Sequence, residues 1–290
     1  MLQAISSQHD AHHERRRKNS LASLTGSLRD KKVHLLLAAS GSVATIKLPL
    51  IIEALGKKHS ERNSGKELSI RVLLTPAASR FLGGQSHEQP PLSSLLSTPC
   101  VDGVYVDADE WREPWKRGDA ILHIELRRDV SILFLPLNSV SRGFADGILT
   151  SVVRAWDAWG ELDSDLVLAN GEQPLLDGNR RRRQKKHIIV APAMNTAMWR
   201  HPVTAKSLRV LEEEWGVYRN SNKAAQAPTA DESHTVEEQV ENADTDDDGG
   251  WFEVLRPQQK TLACGDVGDG AMMEWKDIVT VIEDRLGLNE

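Results

Sequence analysis

The chain has 290 residues, 40% of them hydrophobic and 27% charged, with a formal net charge of −6 at pH 7. That is the composition of a soluble protein of one large domain or two small ones; the mild negative charge is concentrated in one segment and does not suggest a nucleic-acid binder. No apolar run approaches the ~18 residues of a membrane helix, so no membrane partner is expected.

Cys100 and Cys264 make no disulfide framework, and a reducing compartment is expected. There is no signal-peptide core near the start, which fits a cytoplasmic protein. Residues 1–30 are polar and read as a disordered tail. Their cluster His12-His13-Glu14-Arg15-Arg16-Arg17-Lys18 leaves a nuclear location open; the two histidines read as solvated, and no metal is expected.

The fold begins at Val33–Ala39, a continuous apolar run expected to be a strand buried on both faces. Ser40-Gly41-Ser42-Val43-Ala44 is a small-residue turn, and a helix is expected over Ile46–Leu55, with Pro49 early, where its missing N–H costs least. Such a turn points backbone N–H groups at a bound anion, with help from the helix dipole; a plain tight turn fits the same residues. Residues 56–68 read as a loop. Leu68–Leu74 is the second strand, running into Thr75-Pro76 with Phe81 beyond it. Residues 83–100, rich in Gly, Pro and Ser, read as an exposed excursion in which Cys100 is a bystander. Val104–Val106 is a short strand, and Trp111 and Trp115 sit in a charged surface loop over 107–118.

Leu122-His123-Ile124-Glu125-Leu126-Arg127-Arg128 carries the one side-chain type whose ordinary pKa, about 6.5, suits proton transfer. Glu125 and Arg127 either orient His123, hold an interface, or form a solvated ion pair. Ser131–Leu135 is a buried strand, followed by Pro136 and the polar pair Asn138-Ser139. Residues 158–186 form an insertion ending in six positive charges around Gln184, read as a solvated loop. Lys186–Val190 is a buried parallel strand that Pro192 stops. Asn195 therefore lies just past a strand's carboxyl end, where open α/β sheets bind ligands. Its carboxamide can donate and accept at once, and Met194, Met198 and Trp199 offer an adaptable apolar wall. Thr196 opens a helical segment ending near His201-Pro202, and Lys206–Trp215 reads as an amphipathic helix.

From 220 to 250 large apolar residues nearly vanish, and nine acidic residues between Asp231 and Asp248 face no Lys or Arg. This is expected to be a disordered insertion in a single domain, because loop-closure cost grows slowly with length. A strand over Trp251–Pro257 follows. Leu262–Met272, with Gly265, Gly268 and Gly270, reads as a flexible flap carrying Cys264, a weak acid able to deliver a proton. Trp275–Leu286 is a terminal amphipathic helix. The strands and helices together give an α/β class: a Rossmann-like parallel sheet with helices on both faces, one domain over about 31–287.

Four ordered segments carry a resemblance: Gly41-Ser42-Val43-Ala44, Leu122–Arg128, Pro192-Ala193-Met194-Asn195-Thr196-Ala197-Met198-Trp199, and Leu262-Ala263-Cys264-Gly265-Asp266 with Gly270-Ala271-Met272. They resemble the motifs of the homo-oligomeric flavin-containing cysteine decarboxylases across residues 33–286. The resemblance implies an FMN-dependent carboxy-lyase acting on phosphopantothenoylcysteine in coenzyme A biosynthesis, assembled as a homotrimer with active sites between subunits. It implies that Gly41, Ser42, Val43, Thr75, Phe81, Asn138 and Ser139 hold FMN. His123, Asn195 and Cys264 are the implied catalytic residues, and Asn195, Met198, Ala263 and Gly265 the implied substrate contacts. In that chemistry FMN oxidises the thiol-bearing carbon, carbon dioxide leaves, and the reduced flavin and a protein thiol complete the product.

The chain departs from the family pattern in places. Ala77 stands where a serine is expected, and Pro136–Ser141 and the segment before Ile148 are shortened on the expected ring-binding shelf. Acidic segments also occur in relatives that inhibit protein phosphatase 1, usually as terminal tails. A phosphatase-binding regulatory subunit is therefore the alternative reading, and a partner within a mixed trimer is a third.

Overall fold

The computed structural model describes residues 19–27, 30, 32–62, 67–129, 132–135, 140–158, 186–217, 250–261 and 267–288. Helix α1 (Leu21–Ser27) precedes strand β1 (Val33–Ala39), and a 3-10 turn (Val43–Lys47) leads into α2 (Leu48–Arg62). Then come β2 (Leu68–Leu74), the short helices α3 (Pro76–Ser79) and α4 (Leu92–Leu95), and β3 (Val101–Val106). Helix α5 (Leu122–Asp129), β4 (Ile132–Leu135), α6 (Ile148–Arg154) and β5 (His187–Val190) follow. Helices α7 (Thr196–Trp199) and α8 (Pro202–Arg209) continue into one π-turn (Val210–Glu214). Strand β6 (Phe252–Val254), the strands β7 (Gln258–Thr261) and β8 (Val267–Ala271), and α9 (Trp275–Leu286) complete the chain.

Six parallel strands form one sheet in the order β3-β2-β1-β4-β5-β6, and β7 and β8 pair antiparallel beside it. The order reverses between β1 and β4, which opens a crevice outside their carboxyl ends. Period-two alternation in β1 sends Leu35, Leu37 and Ala39 to one core and Leu36 and Ala38 to the other. The first core is closed by Ile51, Ile52 and Leu55 of α2 and Ile278 and Ile282 of α9. The second is closed by Leu24 of α1, Leu126 of α5, Val152 of α6 and Leu208 of α8. Leu35, Leu36 and Leu37 are all fully buried, so truncating any of them to Ala costs about 2–5 kcal/mol. Helices therefore cover both faces, as the apolar runs lead one to expect.

Several local expectations are corrected. The tail expected over 1–30 is structured from residue 19: the Asn19 side chain bonds both the N–H and the C=O of Val104, completing the outer edge of β3. Arg71, 3% exposed on β2, donates to Ser27 Oγ at 2.8 Å, and Leu24 is fully buried. Helix α2 runs seven residues past Leu55 into the expected loop. The excursion over 83–100 contains α4, whose Leu95 is buried. The flap expected at 262–272 is partly a strand, with Gly268 and Gly270 inside β8. The insertions expected at 158–186 and 220–250 lie almost entirely outside the described residues. Val217 and Gly250, which flank the second, are close, with Gly250 N–H donating to Gly216 O at 2.8 Å and Val217 N–H to Phe252 O at 2.9 Å.

Candidate active site at the strand ends

Strands β1, β2 and β5 each leave the carboxyl edge of the sheet into a helical turn whose first unpaired amide is taken by a polar side chain. Ser42 Oγ accepts from Ala44 N–H at 3.0 Å, Thr75 Oγ1 from Ala78 N–H at 3.2 Å, and Asn195 Oδ1 from Met198 N–H at 2.9 Å. These are N-caps, each worth about 1 kcal/mol. They fix the orientation of what remains: Asn195 keeps its NH₂ group for a ligand, and Ser42 keeps its O–H.

Gly41 sits at φ 106°, and a Cβ there would stand 2.5 Å from Ala77 Cβ. Only glycine lets the β1 turn lie this close to α3. Beside the turn opens a cleft of about 670 Å³, within the range of small-molecule sites. Of the residues singled out from sequence, Gly41, Ser42, Val43, Phe81, Asn195 and Met198 line it together. Thr75 does not line it; its hydroxyl oxygen serves the α3 cap instead. Asn138, Ser139, Ala263, Cys264 and Gly265 lie outside the described residues.

Sequence reasoning missed Lys47, Lys260, Glu274 and Trp275, which also line the cleft. Lys260 pairs with Glu274, and the ammonium holds that carboxyl below its ordinary range. Charged residues in a polar strand and at the start of a helix give no periodic signal, so nothing in the sequence marked them.

The wall formed by 192–199 is clamped by the hairpin. Met194 N–H donates to Gly270 O at 2.9 Å, and a Cβ on Gly270 would stand 2.4 Å from the Met194 carbonyl oxygen, a separate atom of the same residue. Arg200 donates to Asp269 Oδ2 from Nε at 3.1 Å and from Nη2 at 2.7 Å, and Gln259 Nε2 reaches Asp269 Oδ1 at 2.7 Å. The guanidinium holds the Asp269 carboxyl below its usual value.

His123 does not line the cleft. It sits in the first turn of α5 with Nδ1 2.7 Å from Glu110 Oε1, the side chains 21% and 5% exposed. Glu125, considered above as its orienting partner, instead accepts from Arg128 Nη1 at 3.3 Å. The carbonyls of Arg127 and Arg128 at the end of α5 accept from Lys186 Nζ at 3.2 and 3.0 Å. Nearby, burial pushes the Asp107 carboxyl above its ordinary value, and Asp146 and Glu110 add to the rise. Cys100 is half-buried, with its thiol likewise raised by burial. Trp111 and Trp115 are exposed on their surface loop, at 63% and 50%.

The cleft thus offers hydrogen-bond donors and lysines beside an apolar wall of Phe81, Met194, Met198 and Trp275, an arrangement suited to a planar ligand with anionic ends. No cluster of three potential metal ligands occurs among the described residues.

Comparison with known proteins gives a consistent result. The family described as Flavoprotein matches residues 23–287. A Schizosaccharomyces pombe protein described as a probable thymidylate synthase is 32% identical over 91% of this chain and 31% of its own length. The mouse phosphopantothenoylcysteine decarboxylase is 28% identical, covering 88% of this chain and 87% of its own. A solved cysteine-to-serine mutant of PPC decarboxylase, complexed with pantothenoylaminoethenethiol, is similar with a TM-score of 0.52 and 28% identity, covering 89% of this chain and all of that one. The chain spans about a third of the length of the first fungal relatives it matches, between 31% and 37%.

Proposed function

The chain belongs to the flavoprotein family, and on that premise we propose that it decarboxylates 4′-phosphopantothenoylcysteine with FMN, giving 4′-phosphopantetheine. The observation that carries the reading is the cleft that gathers the Gly41-Ser42-Val43 turn, Phe81, Asn195 and Met198 at the carboxyl ends of three strands. Its fit to FMN is supported by the Gly41-Ser42-Val43 turn, which lines the cleft at the end of β1 where backbone N–H groups can meet a phosphate, and by the apolar residues that share the cleft. Ser42 and the backbone of this turn would hold the phosphate, and Phe81 would border the ring. When bound, FMN supplies the redox chemistry, taking an electron pair from the thiol-bearing carbon and returning it once carbon dioxide has left.

The protein's own part is binding and proton control. Asn195, its oxygen held by the Met198 amide, presents NH₂ to the substrate carboxylate or amide. Met198 packs on the substrate's chain. Cys264 gives the proton that completes the product, with Ala263 and Gly265 beside the substrate. His123 lies off the cleft, so in this reading a second copy brings its own His123 to the site, which makes a homotrimer the working unit.

The test is an absorbance spectrum of the purified chain, then carbon dioxide release from the substrate. The expected result is a yellow protein that turns over alone. Bound flavin without turnover would point to a mixed assembly, and absence of flavin to a regulatory role; either would overturn the proposal. A Cys264→Ser variant is expected to bind flavin and accumulate an oxidised enethiol; normal turnover would remove Cys264 from the donor role.

A further inference from the structure

We infer that Glu110 is the positioning residue of His123, a buried carboxylate that fixes which ring nitrogen is available as base. The inference rests on the decarboxylase reading for its catalytic meaning, but the pairing itself stands on geometry. Glu110 Oε1 lies 2.7 Å from His123 Nδ1, and the Glu110 side chain is only 5% exposed. Its Oε2 is buried with no partner among the described residues. Burying a carboxylate with one oxygen unpaired is costly, and a solvated surface pair would not hold it there.

Among the described residues, the surrounding charges offer Glu110 no other counter-ion. Asp109 is engaged by Arg112 and by the Val106 N–H. Asp107, itself next to Asp146, is acidic, and its carboxyl is raised partly by Glu110. On the helix that carries His123, Glu125 turns to Arg128. His123 is thus the described partner of Glu110, and its Nε2 makes no hydrogen bond with a described residue.

An ionised carboxylate only accepts, so the proton sits on Nδ1 and the lone pair on Nε2. That tautomer leaves Nε2 as the proton acceptor, and the imidazolium formed on proton capture faces a negative charge. The acid reaches His123 from thirteen residues away, across the loop between β3 and α5, which is why proximity in sequence points to Glu125 instead.

The test compares Glu110→Ala and Glu110→Gln in the full chain, using ¹⁵N-histidine NMR with His123 assigned through His123→Gln, alongside steady-state kinetics. In the parent, His123 is expected as a single Nδ1-protonated tautomer. Glu110→Ala should mix the tautomers and lower kcat on the order of 10²-fold, with KM changed less than about twofold. Glu110→Gln keeps an acceptor and should restore the tautomer and part of kcat. A parent spectrum showing Nε2 protonation, or an Ala variant with an unchanged tautomer, overturns the inference; so does a Glu110→Ala kcat equal to that of a parent that turns over. The tautomer needs no turnover to be read, so a chain inactive as a decarboxylase sinks the functional reading while the pairing is still judged by its nitrogen shifts.

Discussion

One methyl group at residue 41 probes the cradle directly. At φ 106° an alanine is strained, at a cost of about 1–3 kcal/mol. Its Cβ would also stand 2.5 Å from Ala77 Cβ and 3.1 Å from both Ala77 C and Ala78 N. Two of those atoms are backbone of α3, and Ala78 N is already held by Thr75 Oγ1, so relief requires moving the helix. Overpacking of this kind costs about 1–3 kcal/mol. Gly41→Ala should therefore destabilise by about 2–6 kcal/mol, a large part of the ~5–15 kcal/mol of a typical domain. Ala77→Gly separates the two contributions. Alone it should cost about 0.5–1 kcal/mol, but it removes the tightest contact and leaves the φ strain in place. Urea unfolding of parent, single and double variants should then give a favourable coupling of about 1–2 kcal/mol at constant slope. A Gly41→Ala loss below about 0.5 kcal/mol, or no coupling to residue 77, would refute the close approach of turn and helix.

Asn195→Asp keeps the helix cap, so stability should stay within about 0.5 kcal/mol, while carbon dioxide release falls at least about 10²-fold because a donor has become a negative acceptor. Asn195→Ala should lose the same activity and about 1 kcal/mol of stability besides, read by urea unfolding. The Asp269 carboxyl is held below its ordinary value by Arg200, so the latch is fully present above about pH 4 and is lost as pH falls through the depressed value. The urea-midpoint gap between Arg200→Ala and the parent should close on acidification, and a gap independent of pH would remove the ion pair from the latch. Replacing residues 218–249 by a four-residue Gly-Ser turn should keep the fold, because the bonds at Gly216, Val217 and Gly250 lie outside the cut. For a flexible segment, that shortening should stabilise by about 1.8 kcal/mol in thermal or urea unfolding.

The strands were legible where burial on both faces leaves an unbroken apolar run: β1 and β2 begin and end where the sequence predicts. Helix α9 was equally legible, because Ile278, Ile282 and Leu286 repeat at helical spacing and Gly287 ends it in a left-handed turn. Helix α1 was not, since Leu24 alone buries fully and Asn19 does its work through a side chain that mimics a strand. Strand β7, Gln-Gln-Lys-Thr, has no apolar alternation at all, and is specified by pairing with β8. The same blindness hid Lys260 and Glu274 from the site. Asn195 could be placed from sequence because a strand end followed by a helix start is a local pattern; the Glu110–His123 contact is tertiary and left no local trace.

The caps explain why the cleft has the polarity it has. A serine or asparagine that caps a helix turns an oxygen towards the backbone, which leaves its O–H or NH₂ as a donor to offer outward. Ser42 and Asn195 do this at two strand ends that border the cleft, and Lys47 and Lys260 add positive charge, offset by Glu274, the one carboxylate among the described lining residues. The same hydrogen bonds that start the helices therefore bias the crevice towards anions before any dedicated recognition residue is added. A ligand carrying a phosphate and a carboxylate matches that bias, and a cationic one opposes it. In this chain the devices that stabilise the ends of β1 and β5 also select the charge of what can bind between them.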